Sequence, residues 1–461
     1  MTNPNIFRMY DIRGIADQDL TDETVTLIGK AFGTYIRRKG CKRITVGRDV
    51  RLSSERIKNA VIAGVTSTGI DVIDIGICPT PVVYFSIVHL KTDGSVMVTG
   101  SHNPIEFNGL KLNLGLLSLY GDDIIAVKAL AEKQDFETGN GTVTLQNIIP
   151  AYKAMLLERI RLERSFKIVI DSGNATAGPI APEIYRALGC EVIELFSEPD
   201  GRFPNHLPDP TVMKYIEELQ KRVLDEHADF GLGYDGDSDR VGLVDEKGQP
   251  VFADKILALL SRDVIEKNPG STIIFDVKCS QMLPEVIEKA GGKSIMWMTG
   301  HSLIKKKMKE EGVLLAGEMS GHIFFKDGFF GYDDGIYVSL RLASFLSRQK
   351  KTVGALVDEL PRFVSTPEIR ITCPDGSKFD VIEKLTADFK TIYNVIDVDG
   401  ARVEFGDGWG LVRASNTQPA LVMRFEAKTA SRLEEIKQIF REKLSEFPSV
   451  SVHEMDEGSH H

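Results

Sequence analysis

Three aspartates stand at alternate positions in Asp235-Gly236-Asp237-Ser238-Asp239-Arg240. Carboxylates so spaced can point the same way in a tight loop, and Gly236 permits the bend. An oxygen-only donor set suits a hard divalent cation, and a few carboxylates completed by a phosphate is the habit of Mg2+. A calcium loop starting at Asp235 would find its closing glutamate at Glu246. It would also need glycine where Arg240 stands, and Val241 to Val244 reads as strand instead. Ser101 lies in Thr99-Gly100-Ser101-His102-Asn103-Pro104, after the apolar run Gly94 to Val98. Gly100 lets the chain turn there, and Pro104 can continue neither a helix nor a ladder. A serine on such a loop is expected to stand out for attack and could carry a phosphoryl group. A capped strand-to-helix turn would use the same residue types.

Two further loops and a few cations complete the candidates. In Gly317-Glu318-Met319-Ser320-Gly321-His322, Glu318, Ser320 and His322 could grip sugar hydroxyls, which both donate and accept. A glycine-bounded hairpin explains the stretch equally well. Arg413-Ala414-Ser415-Asn416-Thr417-Gln418-Pro419 offers one guanidinium, short polar side chains and free backbone N–H groups, a cradle for phosphate or a plain polar turn. Arg13, Lys111, Arg240, Lys278 and His301 fall on expected loops or strand ends, where each by itself could be a solvated charge. Lys305-Lys306-Lys307 reads as the outer face of a helix. No Walker lysine motif or dinucleotide glycine fingerprint occurs, so nucleotide chemistry has no support.

The elements that must position these loops alternate. A helix is expected over Thr21 to Lys39, a strand over Lys42 to Asp49, a helix over Ser54 to Ser67 and a strand over Asp71 to Gly76. Similar strand–helix–strand units recur at Phe166 to Leu195 and Ser271 to Trp297, each first strand ending in Asp. This pattern implies α/β domains with mostly parallel sheets covered by helices. Pro and Gly gather at Ile149-Pro150, at Glu246 to Pro250 and at Ser365 to Pro367. After Glu368 the chain alternates like antiparallel strands and closes on a helix, Ser431 to Glu446, which reads as a small α+β domain. The expected division is 1–148, 149–248, 249–366 and 367–457, with 458–461 an expression-tag remnant.

Bulk properties exclude several classes. At 461 residues the chain exceeds one core and should form three or four domains. Its net charge of −10 argues against a nucleic-acid binder, so any bound anion needs locally gathered cations. No apolar run is long enough to span a bilayer and no secretory leader is expected. The five scattered cysteines suggest reduced thiols in a cytoplasm rather than disulfides or a zinc site.

Taken together, the four loops and Tyr10-Asp11-Ile12-Arg13-Gly14 resemble the α-D-phosphohexomutase family, most closely its bacterial phosphomannomutase/phosphoglucomutase branch. The resemblance spans essentially the whole chain. It implies three related α/β domains with mixed sheets and a C-terminal α+β domain, each giving one loop to a central cleft. It implies Ser101 as phosphoserine, and Asp235, Asp237 and Asp239 with a Ser101 phosphate oxygen as the Mg2+ ligands. Glu318, Ser320 and His322 correspond to the sugar loop. Arg413, Ser415, Asn416 and Thr417 correspond to the site for the phosphate that is not transferred. Tyr10, Arg13, His102, Lys111, Arg240, Lys278 and His301 match positions lining the cleft. The implied reaction is reversible phosphoryl transfer between the 1- and 6-positions of a hexose phosphate through a 1,6-bisphosphate that turns over in the cleft. Glucose 1,6-bisphosphate or mannose 1,6-bisphosphate would serve as activator and a monomer is the implied state. Lys111 and His322 are both candidates for the base, whereas Arg13 as a base would need a pKa that guanidinium resists. The Glu-Met-Ser-Gly-His version of the sugar loop resembles that of enzymes accepting both mannose and glucose phosphates. A phosphoglucosamine-type mutase, a Mg2+-dependent sugar phosphatase and a non-catalytic sugar-phosphate sensor are the competing readings. The dedicated phosphate loop opposes the phosphatase, and the intact Ser101 and aspartate triplet oppose the sensor.

Overall fold

The computed structural model describes residues 3–415 and 418–455. Valine- and isoleucine-rich runs become strands where expected. Gly94–Val98 and Phe230–Tyr234 are buried along their whole length, as strands covered on both faces must be. The first helix, Asp22–Arg38, begins where the Thr21 hydroxyl accepts from the Thr24 N–H at 3.3 Å. Asp22 and Glu23 lie in its first turn and Arg37 and Arg38 in its last, complementing the helix dipole.

Three sheets repeat one topology. In the first, Arg43–Arg48 pairs in parallel with Asp71–Ile77 and Gly94–Val98, and Gly94–Val98 turns back antiparallel onto Phe107–Leu114. In the second, Lys167–Asp171 pairs in parallel with Glu191–Leu195 and Phe230–Tyr234, which turns back onto Val241–Asp245. In the third, Thr272–Asp276 pairs in parallel with Lys293–Trp297 and Leu315–Gly317, which turns back onto Ile323–Phe325. The Ser101 loop, the aspartate loop and the Glu318 loop therefore occupy the same connection in three sheets. The fourth sheet is antiparallel throughout, and its Arg413 loop also joins two antiparallel strands, Gly408–Ala414 and Ala420–Ala427. The fold is thus three α/β units with mixed sheets followed by an α+β unit.

One continuous apolar core joins the first three units, running from Met97 through Tyr152 and Ile170 to Leu257 and Phe325. The fourth unit has its own core around Phe389, Phe425 and Phe440. It meets the third through a small cluster of Val277, Trp409 and Leu411. Buried Arg402 adds bonds to the carbonyls of Val277 at 2.7 Å and Cys279 at 2.8 Å. All five cysteines are free thiols.

Candidate active site

Ser101 departs from expectation. It is 2% exposed rather than held out in solvent, because the aspartate loop of the second unit closes over it. Its hydroxyl donates to Asp235 Oδ2 at 3.0 Å and lies 3.0 Å from His102 Nδ1. Its backbone is left-handed, with φ 49°, a conformation that costs a non-glycine residue roughly 1–2 kcal/mol. The loop is held in that shape by Asp49 and Arg51. Asp49 Oδ2 accepts from Thr99 Oγ1 at 2.8 Å and from the Gly100 N–H at 3.0 Å. The buried Arg51 guanidinium donates to the carbonyls of Ser101 at 2.9 Å, Pro104 at 2.6 Å, Phe107 at 3.0 Å and Asn103. Gly100 is required where it stands, since a Cβ there would sit 2.4 Å from Arg51 Nε.

Asp235, Asp237 and Asp239 are buried, and one carboxylate oxygen of each lies within 4.8 Å of the others. Burial beside Asp239 and Asp237 pushes Asp235 well above the ordinary carboxylate range. Three crowded carboxylates resist full ionisation unless a cation joins them. Asp237 Oδ1 and Asp239 Oδ1 are buried with no hydrogen-bond partner. The donor set and these open oxygens fit a hard divalent cation. Lys111 supplies part of the countercharge, with Nζ 2.7 Å from Asp237 Oδ2 and 2.5 Å from Asp239 Oδ2. Burial alone would lower its pKa, but Asp237 and Asp239 outweigh that and hold the ammonium well above the usual lysine value.

Arg240 links this loop to the histidines. Its Nη2 donates to His102 Nδ1 at 2.6 Å and its Nε donates to His322 Nε2 at 3.1 Å. Burial, with Arg240 and Arg13 nearby, drives His102 well below the usual imidazole value, so its ring is neutral. His301 is likewise driven down by burial and by Lys305. Its ring stacks on that of His322 at 5.5 Å and meets Tyr10 edge-on at 5.6 Å. In the Glu318 loop, Glu318 Oε1 accepts from the Gly300 N–H at 2.6 Å while Oε2 is buried and unpartnered, an acceptor open to a hydroxyl donor. Burial raises Glu318 to about 7. Ser320 is half-buried on the same turn.

The fourth loop is braced by Lys378, which donates to the carbonyls of Ser415 at 2.6 Å and Gln418 at 3.0 Å. Arg413 Nε donates to Asp399 Oδ2 at 2.9 Å, and Lys278 lies 3.3 Å from Glu368. Asn416 and Thr417, expected phosphate contacts, lie outside the described residues, as does 458–461.

The cations are not all on loops or strand ends. Lys111 is in mid-strand of Phe107–Leu114, Arg13 lies within Ile12–Ile15, and His301 opens the helix His301–Glu311. Arg13 pairs with Asp11 at 2.7 Å. Lys305, expected on a helix surface, is buried (4% exposed) against the first unit, whereas Lys306 is exposed and Lys307 half-buried. Sequence reasoning passed over Asp49, Arg51 and Asp333. The charged residues Arg48-Asp49 closing a β-branched strand, and the Asp333-Asp334 pair after four residues rich in aromatics, were the only local signals.

Family models place the same four units along the chain. Those described as phosphoglucomutase/phosphomannomutase, alpha/beta/alpha domains I, II and III, match residues 4–137, 149–248 and 252–363, and the C-terminal domain matches 368–443. A phosphomannomutase/phosphoglucomutase of Pseudomonas aeruginosa is 46% identical over 441 residues, covering 95% of each chain. A phosphoglucomutase of Neisseria gonorrhoeae is 43% identical over 451 residues, covering 97% of this chain and 98% of the relative. The crystal structure of a phosphoglucomutase/phosphomannomutase family protein from Burkholderia thailandensis superposes with a TM-score of 0.92 at 40% identity, covering 97% of this chain and 98% of that one. With four family models matching along the chain and relatives matching nearly end to end, the chain belongs to the phosphoglucomutase/phosphomannomutase family.

Proposed function

We propose that this enzyme interconverts the 1- and 6-phosphates of mannose and glucose by passing a phosphoryl group through Ser101. The observation that carries the reading is the Ser101 hydroxyl itself, 3.0 Å from Asp235 Oδ2 in a cation-ready loop and held at a left-handed φ by a buried arginine clamp. Four units, 1–148, 149–248, 249–366 and 367–457, each contribute one loop to the cleft.

Arg413 and Ser415, with Asn416 and Thr417 of the same loop and Lys278 beside it, hold the phosphate that is not being transferred. Glu318, Ser320 and His322 grip the ring hydroxyls, Tyr10 and His301 wall the cleft, and the sugar can be seated in either orientation by the same contacts. Mg2+ held by Asp235, Asp237, Asp239 and the Ser101 phosphate would neutralise charge on the transferring group. Arg13 and Arg240 add fixed positive charge near that group, and Lys111, locked protonated between Asp237 and Asp239, serves the same end rather than acting as base. His322 is the remaining candidate for proton acceptor: its Nε2 carries a lone pair, now turned to Arg240 Nε at 3.1 Å, and that contact must open before the nitrogen can take the proton. As the sugar oxygen bonds to phosphorus, the bond from phosphorus to Ser101 Oγ breaks. The hydroxyl proton passes to His322, and one proton is returned to Oγ. His102, 3.0 Å from Oγ, steers the serine. The second half-reaction is the same step after the bisphosphate turns over. Glucose 1,6-bisphosphate, or its mannose counterpart, would prime dephosphorylated enzyme. We further propose a cytoplasmic monomer; no helix among the described residues is long and apolar enough to cross a membrane.

Intact-mass measurement tests the reading. Purified protein incubated with glucose 1,6-bisphosphate should carry one added phosphate, absent from Ser101→Ala. Protein that never acquires phosphate at Ser101 under those conditions refutes it.

A further inference from the structure

Lys305 is a buried lysine with no place in the mechanism above. Burying an ammonium costs several kcal/mol unless every donor is used, and here each is. Nζ donates to Ser118 Oγ at 2.9 Å, Tyr84 Oη at 3.1 Å and Asp333 Oδ1 at 3.3 Å, and stands 4.3 Å from the centre of the Tyr84 ring. Tyr84 and Ser118 belong to the first unit, which carries Ser101. Lys305 and Asp333 belong to the third, which carries His322.

The other oxygen of Asp333 completes the connection. Oδ2 lies 2.9 Å from His322 Nδ1 and 4.0 Å from His301 Nδ1. On the far side of the His322 ring, Nε2 accepts from Arg240. A neutral imidazole that accepts at Nε2 carries its hydrogen on Nδ1, the atom facing Asp333. Thus one carboxylate is pinned by Lys305 through one oxygen and stands against the histidine ring through the other, a 2.9 Å contact that is not aligned as a hydrogen bond. Were the ammonium removed, Oδ1 would be a buried charge without a partner, and the carboxylate would turn away from Nδ1 to find one.

We propose that Lys305 is a positioning residue for phosphoryl transfer: through Asp333 it fixes the orientation of the His322 ring, and through Tyr84 and Ser118 it ties that histidine to the unit bearing Ser101. The kinetic half of this inference rests on His322 as proton acceptor, and the orientation half does not.

The test uses full-length protein labelled with 15N-histidine, with the His322 ring signals assigned by their loss in His322→Asn. Wild type should show the Nδ1–H form, which Arg240 holds, and Lys305→Met the same form with its ring 15N and 1H signals shifted as the ring turns against Asp333. Turnover of glucose 1-phosphate by Lys305→Met should fall about tenfold to a hundredfold in kcat, with KM within about twofold. Ser118→Ala, a milder change that spares the charge, should lower kcat about two- to fivefold in the same pattern and covers the case where Lys305→Met fails to fold. Unchanged His322 ring signals in Lys305→Met, or in Ser118→Ala if the former is unfolded, overturn the proposal. A loss expressed in KM rather than kcat also overturns it. Wild-type kcat in His322→Asn would remove the proton-acceptor reading and with it the kinetic half, leaving the ring signals to decide the placement alone.

Discussion

Gly236→Ala is the sharpest probe of how the aspartate loop meets the serine loop. A Cβ at this position would lie 2.3 Å from the Ser101 carbonyl oxygen, with Pro208 Cγ at 3.3 Å on its other side. Ordinary contact needs about 3.4 Å, so the two loops must separate by about 1 Å. Gly236 has no left-handed φ, so alanine brings no backbone strain and the effect is steric alone. The loop cannot simply retreat, because the Gly236 carbonyl accepts from Thr176 Oγ1 at 3.1 Å. A displacement of 1 Å between reacting groups costs about a hundredfold in rate, or ~2.7 kcal/mol of barrier. The sugar and phosphate loops are untouched, so the loss should fall in kcat, with KM for glucose 1-phosphate nearly constant. The assay couples glucose 6-phosphate formation to a dehydrogenase, at saturating Mg2+ and glucose 1,6-bisphosphate. Gly376→Ala, where a Cβ meets nothing within 4 Å, is the control. If Gly236→Ala turns over within about threefold of wild type, the Ser101–Asp235 contact does not set the reaction geometry.

Two further outcomes are expected. Arg413→Ala should raise KM and release bisphosphate into solution, detectable by anion-exchange chromatography of single-turnover mixtures; wild-type retention of the intermediate would show that the fourth loop does not hold it. Asp334 caps the helix Gly335–Ser347 by accepting from the Tyr337 N–H at 2.9 Å and also accepts from Tyr152 Oη at 2.9 Å. Burial pushes its carboxyl from 3.8 up to about 7, against the pull of those bonds. The folded chain therefore holds this proton more tightly than the unfolded chain, and the group's contribution to stability falls as pH rises between about 4 and 7. Asp334→Asn keeps the cap and the tyrosine contact and should flatten that fall by an amount on the order of a few kcal/mol, read from urea unfolding across the window. An unaltered pH slope would place the buried proton elsewhere.

Much of the site was legible locally. Gly94–Val98 could be bounded from its apolar run, because a strand buried on both faces admits little else. The aspartate triplet marked a loop suited to a cation because it packs three carboxylates into five residues, whereas the Glu318 and Arg413 turns read equally well as plain turns until the family resemblance joined them. Lys111 was misplaced onto a loop because a charge inside Phe107–Leu114 makes sense only once Asp237 and Asp239 face it from another unit. Lys305 was misplaced onto a surface because helix periodicity within three consecutive lysines cannot tell which one meets a neighbouring unit.

By itself, then, the sequence determined most element types, the four candidate loops and, through its resemblance, the family. Only the tertiary structure decided which loop covers which. Ser101 is buried because Asp235, 134 residues away, bonds its hydroxyl. Its left-handed backbone is held by Arg51, 50 residues away. Three of the four loops prove to be the same connection of one repeated sheet. Local spacing encodes which groups a loop carries. Pairings across such separations are set by packing of the shared core, which brings three unlike loops to one point and leaves a serine inside.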